Sequence, residues 1–263
     1  MGRTYYYSDE LNDDFAENNI KTRELPEDHE YFKKSPLRRA WAFILHHFIA
    51  TPIVFVLQKL VYGERIYGRK KLKPYRKTGY YLYGNHTRSM GDAYMPSLVC
   101  FPKKPYIIVG PDAVSIPAIR PIVEDLGAIP LASSIKGKTA FHAAMKRHAE
   151  LCHAVAIYPE AHIWPGYTGI RRFRDGSFRY PVEYGKPVFT ATCTYHKRRL
   201  FKGARNEVYI DGPFFADGSL ENREARRKLC QEAYEAMRKR AALSDYSPNT
   251  YVRAEDDAAS NME

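Results

Sequence analysis

The chain has 263 residues, 44% apolar and 27% charged, with a formal net charge of +11. That composition excludes a disordered or fibrous protein and allows one large domain or two small ones. Its four cysteines, Cys100, Cys152, Cys193 and Cys230, form no C-x-x-C pair. This excludes a disulfide-stapled scaffold or a zinc ribbon and suggests a reducing compartment.

The charge is unevenly spread. Residues 1–30 hold nine acids against three bases, a balance of −6, and the remainder carries +17. A cationic body suits nucleic acid, anionic lipid or a phosphorylated substrate. No RNP, KH, finger or helix-turn-helix pattern is present, so no nucleic-acid partner is expected.

Residues 1–35 read as an acidic, partly ordered arm whose Tyr5, Tyr6, Tyr7 and Phe15 could dock on the body. The basic segment from Lys33 to Arg39 leads into an apolar run, Ala40 to Leu57, that contains His46, His47 and Pro52. Proline inside a helix removes a hydrogen bond and kinks it, so the run predicts two short helices, about 37–50 and 52–62, forming a hairpin over 36–63. Neither helix reaches the roughly 20 apolar residues of a membrane span. An apolar element with a Lys/Arg flank fits the lipid interface; a hairpin buried against the body is the alternative.

From Tyr80 the pattern alternates between strand and helix. Strands are predicted at 80–83, 106–109, 127–131, 154–158, 187–194 and 207–210, and helices at 94–99, around 115–124, over 141–152 and at 220–240. Phe141, Met145, His148 and Cys152 share one helical face. The whole predicts an α/β body over 64–244, a mostly parallel central sheet flanked by helices. The tail, 245–263, is expected to be loosely structured. His142, His148, Cys152 and His153 lie at mixed helical phases, and no metal site is expected.

In open α/β sheets ligands gather where strands end. Two predicted strand ends carry unusual residues, Gly84-Asn85-His86-Thr87-Arg88-Ser89 with Asp92 beyond, and Tyr158-Pro159-Glu160-Ala161-His162. A histidine after a strand can serve as a general base, and a carboxylate on its far nitrogen fixes the tautomer. A loop histidine followed by a helix-capping aspartate reads equally from the residues alone. Glu160 could bind a polyol or a cation, or cap a helix. Arg171, Arg172 and Arg174 match phosphate oxygens in a bidentate way, or form a solvated basic loop.

Taken together, these segments resemble the glycerolipid acyltransferase family, the 1-acyl-glycerol-3-phosphate acyltransferases and their relatives, from about Tyr80 to Phe214. Asn85-His86…Asp92 resembles the family's Asn-His-x-Ser-x-x-Asp motif. Tyr158-Pro159-Glu160-Ala161 resembles Phe-Pro-Glu-Gly. The segment Arg172 to Phe178 is similar to Pro-Phe-Lys-Lys-Gly-Ala-Phe, and Gly185-Lys186-Pro187-Val188 to the fourth motif. The chain departs from these motifs in three places. Five residues rather than four separate His86 from Asp92, Ala161 replaces glycine, and His162-Ile163 replaces Thr-Arg. A six-residue offset on one straight helix would turn the two side chains about 240° apart. The pair can therefore meet only across a loop or a bulge.

The resemblance implies transfer of a fatty acyl chain from acyl-CoA or acyl carrier protein, as co-substrate and without a resident cofactor, to the hydroxyl of a lysolipid. The acceptor it implies first is 1-acyl-glycerol-3-phosphate, giving phosphatidic acid. His86 would be the base and Asp92 its orienting partner. Asn85, Arg88, Ser89, Glu160, Arg171, Arg172 and Arg174 would hold the acceptor. No nucleophile elbow of the G-x-S-x-G kind is present, so direct attack is expected. Membrane lipids are the implied partners, and the implied location is the cytoplasmic face of the cell membrane, peripheral or monotopic. Another lipid or polyol acceptor, or a non-catalytic lipid-binding protein, stays open.

Overall fold

A strand without polar alternation must be covered on both faces, and Tyr80–Gly84 is buried at every position. It is the middle strand of the computed structural model, which describes residues 2–16, 22–89, 91–116, 118–198 and 203–254. In chain order, β1 (Thr4–Tyr7) precedes α1 (Pro36–Ile44) and α2 (Thr51–Val61), then β2 (Arg65–Tyr67) and β3 (Tyr80–Gly84). Next come α3 (Gly91–Cys100), β4 (Pro105–Val109), α4 (Arg120–Asp125), β5 (Ala128–Pro130), α5 (Ile135–Glu150) and β6 (Ala154–Ile157). The chain continues through α6 (Arg179–Tyr184), β7 (Val188–Lys197), β8 (Ala204–Phe214), α7 (Asn222–Ala241) and β9 (Thr250–Arg253).

Seven strands form one sheet in the order β2-β8-β7-β3-β6-β4-β5. All neighbours are parallel except β7 and β8, which run antiparallel. The expected α/β class, a mostly parallel sheet flanked by helices, is therefore the one observed. Period-two alternation divides β3 between two cores. Tyr80 and Leu82 pack with Met95 and Val99 of α3 on one face. Tyr81 and Tyr83 pack with Phe141, Met145, Phe178 and Leu229 on the other.

Two expectations are corrected. The hairpin is instead one helix, Pro36–Val61, in which a π-helical turn (Leu45–Ala50) joins α1 to α2; where neither half was expected to reach a membrane span, the joined helix is long and apolar enough to do so by length and composition. Proline at position 52 would clash with the carbonyl four residues back in a regular helix. The wider turn just before it, with Thr51 N–H donating to His46 O, absorbs the proline without a break. This helix buries Ala42, His46, Thr51, Val54 and Gln58, while Leu37, Phe48 and Leu60 are among the most exposed apolar side chains of the chain, at 81%, 69% and 75%.

The second correction concerns the tail; the arm docks through Tyr5, Tyr7 and Phe15, as its aromatic residues allowed. β1, in the acidic arm, pairs in parallel with β9, in the tail expected to be loose, through Thr4–Tyr7 and Thr250–Arg253. Residues 17–21 within the arm and 255–263 in the tail lie outside the described residues. Polar composition hid the pairing, because the two strands are held by aromatic rings rather than by an aliphatic face. The Tyr5 and Tyr251 rings stack 5.1 Å apart, and Phe15 lies 5.0 Å from Tyr5.

Candidate active site

β3 and β6 are parallel neighbours with Tyr83 beside Ile157, so the loops that follow them leave the same edge of the sheet. The chain goes from β3 across β6 to β4, while β7 lies on the other side of β3. That reversal makes the edge the expected ligand crevice, and both marked loops open there.

His86 sits in the loop after β3, and Asp92 in the first turn of α3. Of the two arrangements the spacing permits, the loop arrangement is adopted. His86 Nδ1 is 2.9 Å from Asp92 Oδ2. The same oxygen accepts from the backbone N–H of Thr87 at 2.8 Å and of Arg88 at 2.9 Å. The loop thus wraps the carboxylate, and the extra residue is taken up before the helix begins. A carboxylate only accepts, so Nδ1 carries the proton and Nε2 is left with a lone pair. The His86 side chain is 24% exposed, whereas that of Asp92 is 2% exposed.

Tyr158 completes the setting, although its position in the third motif gave no sign of it. Its ring stacks on His86 with centroids 4.7 Å apart, and its hydroxyl donates to Asp92 O. Gly84 makes this possible, since a Cβ there would lie 2.6 Å from the Tyr158 ring. Two further partners escaped the sequence reading. Tyr195 O–H reaches Thr87 O at 2.9 Å, and Trp164 N–H donates to His86 O at 3.1 Å. Lone aromatics in buried strands and loops carry no sequence signal that separates such roles from packing.

The residues implied as acceptor ligands divide into two groups. Asn85 is buried and spans to β7, its amide donating to Cys193 O at 3.0 Å and its carbonyl accepting from Cys193 N–H at 2.8 Å. It ties the loop to the next strand. Arg88 is buried and bonded to Glu64, Asp92 and Gln58. Glu160 and Arg171 are sealed together, both side chains at 0% exposure, with Arg171 Nη2 3.3 Å from Glu160 Oε2. Burial outweighs the guanidinium and pushes the Glu160 carboxyl above the usual carboxylate range. These four face inward and are corrected from ligands to framework: a buried guanidinium needs a carboxylate partner, and these have found theirs. Ser89, Arg172 and Arg174 remain exposed.

Glu160 also accepts from the His86 N–H at 3.1 Å and the Arg171 N–H at 3.1 Å, so it links the two motif loops. Ala161, where the family motif carries glycine, adopts φ 63°, a left-handed conformation that costs a side-chain-bearing residue roughly 1–2 kcal/mol. Among the described residues no cysteine stands beside His86 as an activated nucleophile. Cys100, Cys193 and Cys230 are buried, and burial pushes each thiol up to about 12. Cys152 lies at the start of β6, at the opposite end of the sheet.

The family model described as Acyltransferase matches residues 65–194, which contain both motif loops and the arginines. This match, over about half of the chain, supports a glycerolipid acyltransferase family. This acyltransferase also resembles in fold the crystal structure of the 1-acyl-sn-glycerophosphate (LPA) acyltransferase PlsC from Thermotoga maritima. The TM-score is 0.50 at 14% identity, over 80% of this chain and 99% of that one. No curated protein sequence matches the chain. The acyltransferase's arm, its helix Pro36–Val61 and β9 all fall outside the residues that match the family model.

Proposed function

We propose that the protein transfers a fatty acyl chain from a thioester, acyl-CoA or acyl carrier protein, to the hydroxyl of a lysolipid. The observation that carries this is the partly open His86 held by a sealed Asp92 at 2.9 Å. Nε2 takes the proton of the acceptor hydroxyl, and Asp92 stabilises the imidazolium that forms. The oxygen then attacks the thioester carbonyl. The new C–O ester bond forms, the C–S bond breaks, and the proton on Nε2 passes to the departing thiolate. No acyl-enzyme is needed.

The acceptor in the name of the Thermotoga maritima enzyme, 1-acyl-sn-glycerophosphate, is the first reading. Its phosphate would meet the exposed Arg172 and Arg174, not the buried Arg88 and Arg171. That same burial favours a second reading, an acceptor whose head group carries no phosphate. Purified protein, labelled acyl thioester and a panel of lysolipids with and without phosphate separate the two. Ester formed only with the phosphate-bearing members supports the first reading, and equal turnover with neutral acceptors supports the second. Failure of every member of the panel with both donors overturns the proposal.

The helix Pro36–Val61 supports a place at the membrane surface. One face packs on the body, where His46 Nε2 lies 3.2 Å from Ser97 of α3, and the opposite face is apolar and exposed. By length and composition the helix could also cross a membrane; because one face packs on the body, we read it as lying in the interface plane. Gln58, near its end, reaches Arg88 beside the His86 loop at 3.4 Å, so the proposed base stands next to the proposed lipid surface. A Phe48→Asp, Leu60→Asp variant should lose most of its binding to anionic vesicles in a sedimentation assay; unchanged binding contradicts this placement.

A further inference from the structure

The acidic arm has no part in the reaction described so far, yet its Asp13 is bonded to one partner of His86 and its Glu10 lies one residue away from another. Both polar backbone groups of that histidine are held from the same side. Its N–H donates to Glu160, and its C=O accepts from Trp164 N–H. Glu160 is gripped by Arg171. Arg171 and Trp164 in turn both reach the arm. Arg171 Nη1 donates to Glu10 O at 3.4 Å, and Trp164 Nε1 donates to Asp13 O at 2.8 Å. The two holders also touch each other, with the Arg171 guanidinium 4.9 Å above the Trp164 ring.

The arm is itself anchored by further bonds. Phe15 N–H donates to Ile163 O at 3.0 Å, and Ile163 N–H donates to Asp14 Oδ1 at 3.1 Å. Tyr251 of β9 stacks on the Trp164 ring at 4.9 Å, and its hydroxyl donates to Pro165 O at 2.7 Å. The β1–β9 pair therefore closes over the loop that carries Glu160 and Trp164.

We propose that this clasp of the two chain ends is a working part of the active site, with Trp164 and Arg171 as positioning residues through which the arm fixes the peptide groups on both sides of His86. A base must be held in reach of its proton, and a displacement of about 1 Å transmitted from outside the site can cost about a hundredfold in rate. A purely structural arm would lower stability and leave turnover of the folded protein unchanged. A positioning arm lowers kcat while KM for donor and acceptor stays put.

The test rests on the acyl-transfer reading and is made on the full chain. Trp164→Phe keeps the ring and removes the donor to Asp13. Asp14→Ala removes the acceptor for Ile163 N–H at a half-exposed position, and Asp14→Asn keeps an amide oxygen there. Steady-state transfer is measured beside cooperative thermal unfolding and the 15N resonances of the His86 ring. Trp164→Phe and Asp14→Ala should each lower kcat about ten- to a hundredfold with both KM values within about twofold. Asp14→Asn should recover most of the loss, and the His86 resonances should move in the two impaired variants. Wild-type kcat in folded Trp164→Phe and Asp14→Ala overturns the proposal. If the wild type itself transfers no acyl group, the acyltransfer reading fails instead. The resonances then decide the positioning alone, and unmoved His86 signals in both variants overturn it.

Discussion

Two acid–base pairs stand side by side at the same end of the sheet and share a peptide hydrogen bond, yet they are built for different ends. His86–Asp92 has one sealed partner and one partly open. Glu160–Arg171 has both partners closed off from solvent. Motif resemblance assigned the first pair to catalysis and the second to the substrate. The difference teaches that a motif residue can be kept for what it holds rather than for what it touches. A pair that presents a lone pair to the crevice can move a proton, whereas a pair whose every polar edge faces protein can only fix the loops that bear the first.

The comparison is broken most severely at the sealed pair. Arg171→Met leaves the Glu160 carboxylate buried with its ionic partner gone, which should cost about 3–5 kcal/mol in denaturant unfolding. The double variant Arg171→Met, Glu160→Gln should recover part of that loss, because the unpaired charge goes with it. A loss under about 1 kcal/mol in the single variant would show that Glu160 is not the sealed carboxylate described here.

A smaller effect comes from the other histidines. His148 and His153 face each other at 2.8 Å between Nδ1 atoms, and burial lowers them to about 3 and about 4. Unfolded histidine binds a proton below about pH 6.5, and these two do not bind one in the folded chain. The unfolded state therefore takes up more protons as the pH falls from about 6.5 toward 4, and stability falls with it. The slope should be about 1 kcal/mol per pH unit from His148. His148→Phe should flatten that limb of a stability–pH curve, and an unaltered limb would mean that His148 is charged in the folded protein.

The smallest effect sharpens the frame around the open pair. Ala161→Gly relieves the left-handed backbone at φ 63° and gives back part of the gain through the freer unfolded chain. It should raise stability by roughly 0.5–1 kcal/mol. A destabilised variant would place the Ala161 methyl in a packing role.

The sequence made the sheet legible because its strands are short apolar runs closed by turns, and the helical face of Phe141, Met145 and His148 marked α5 in the same way. The His86 loop was legible by motif, and the spacing argument allowed the loop geometry that is found. The partners were hidden. Glu64 lies 24 positions before Arg88, and Glu10 lies 161 positions before Arg171, so no local pattern could show that either guanidinium was already engaged. The β1–β9 pair was hidden for the same reason, joining the two ends of the chain through aromatic rings in polar surroundings. The single helix at 36–61 was missed because the rule for proline in a helix does not foresee a π turn that makes room for it.

The most direct test of the account compares labelled acyl transfer by His86→Ala with that by the wild type, on protein shown by circular dichroism to be folded. Loss of a general base typically costs about 10²–10⁴ in rate. The account predicts a fall in kcat of that size with the unfolding transition still cooperative, and turnover equal to wild type in the folded variant would contradict it.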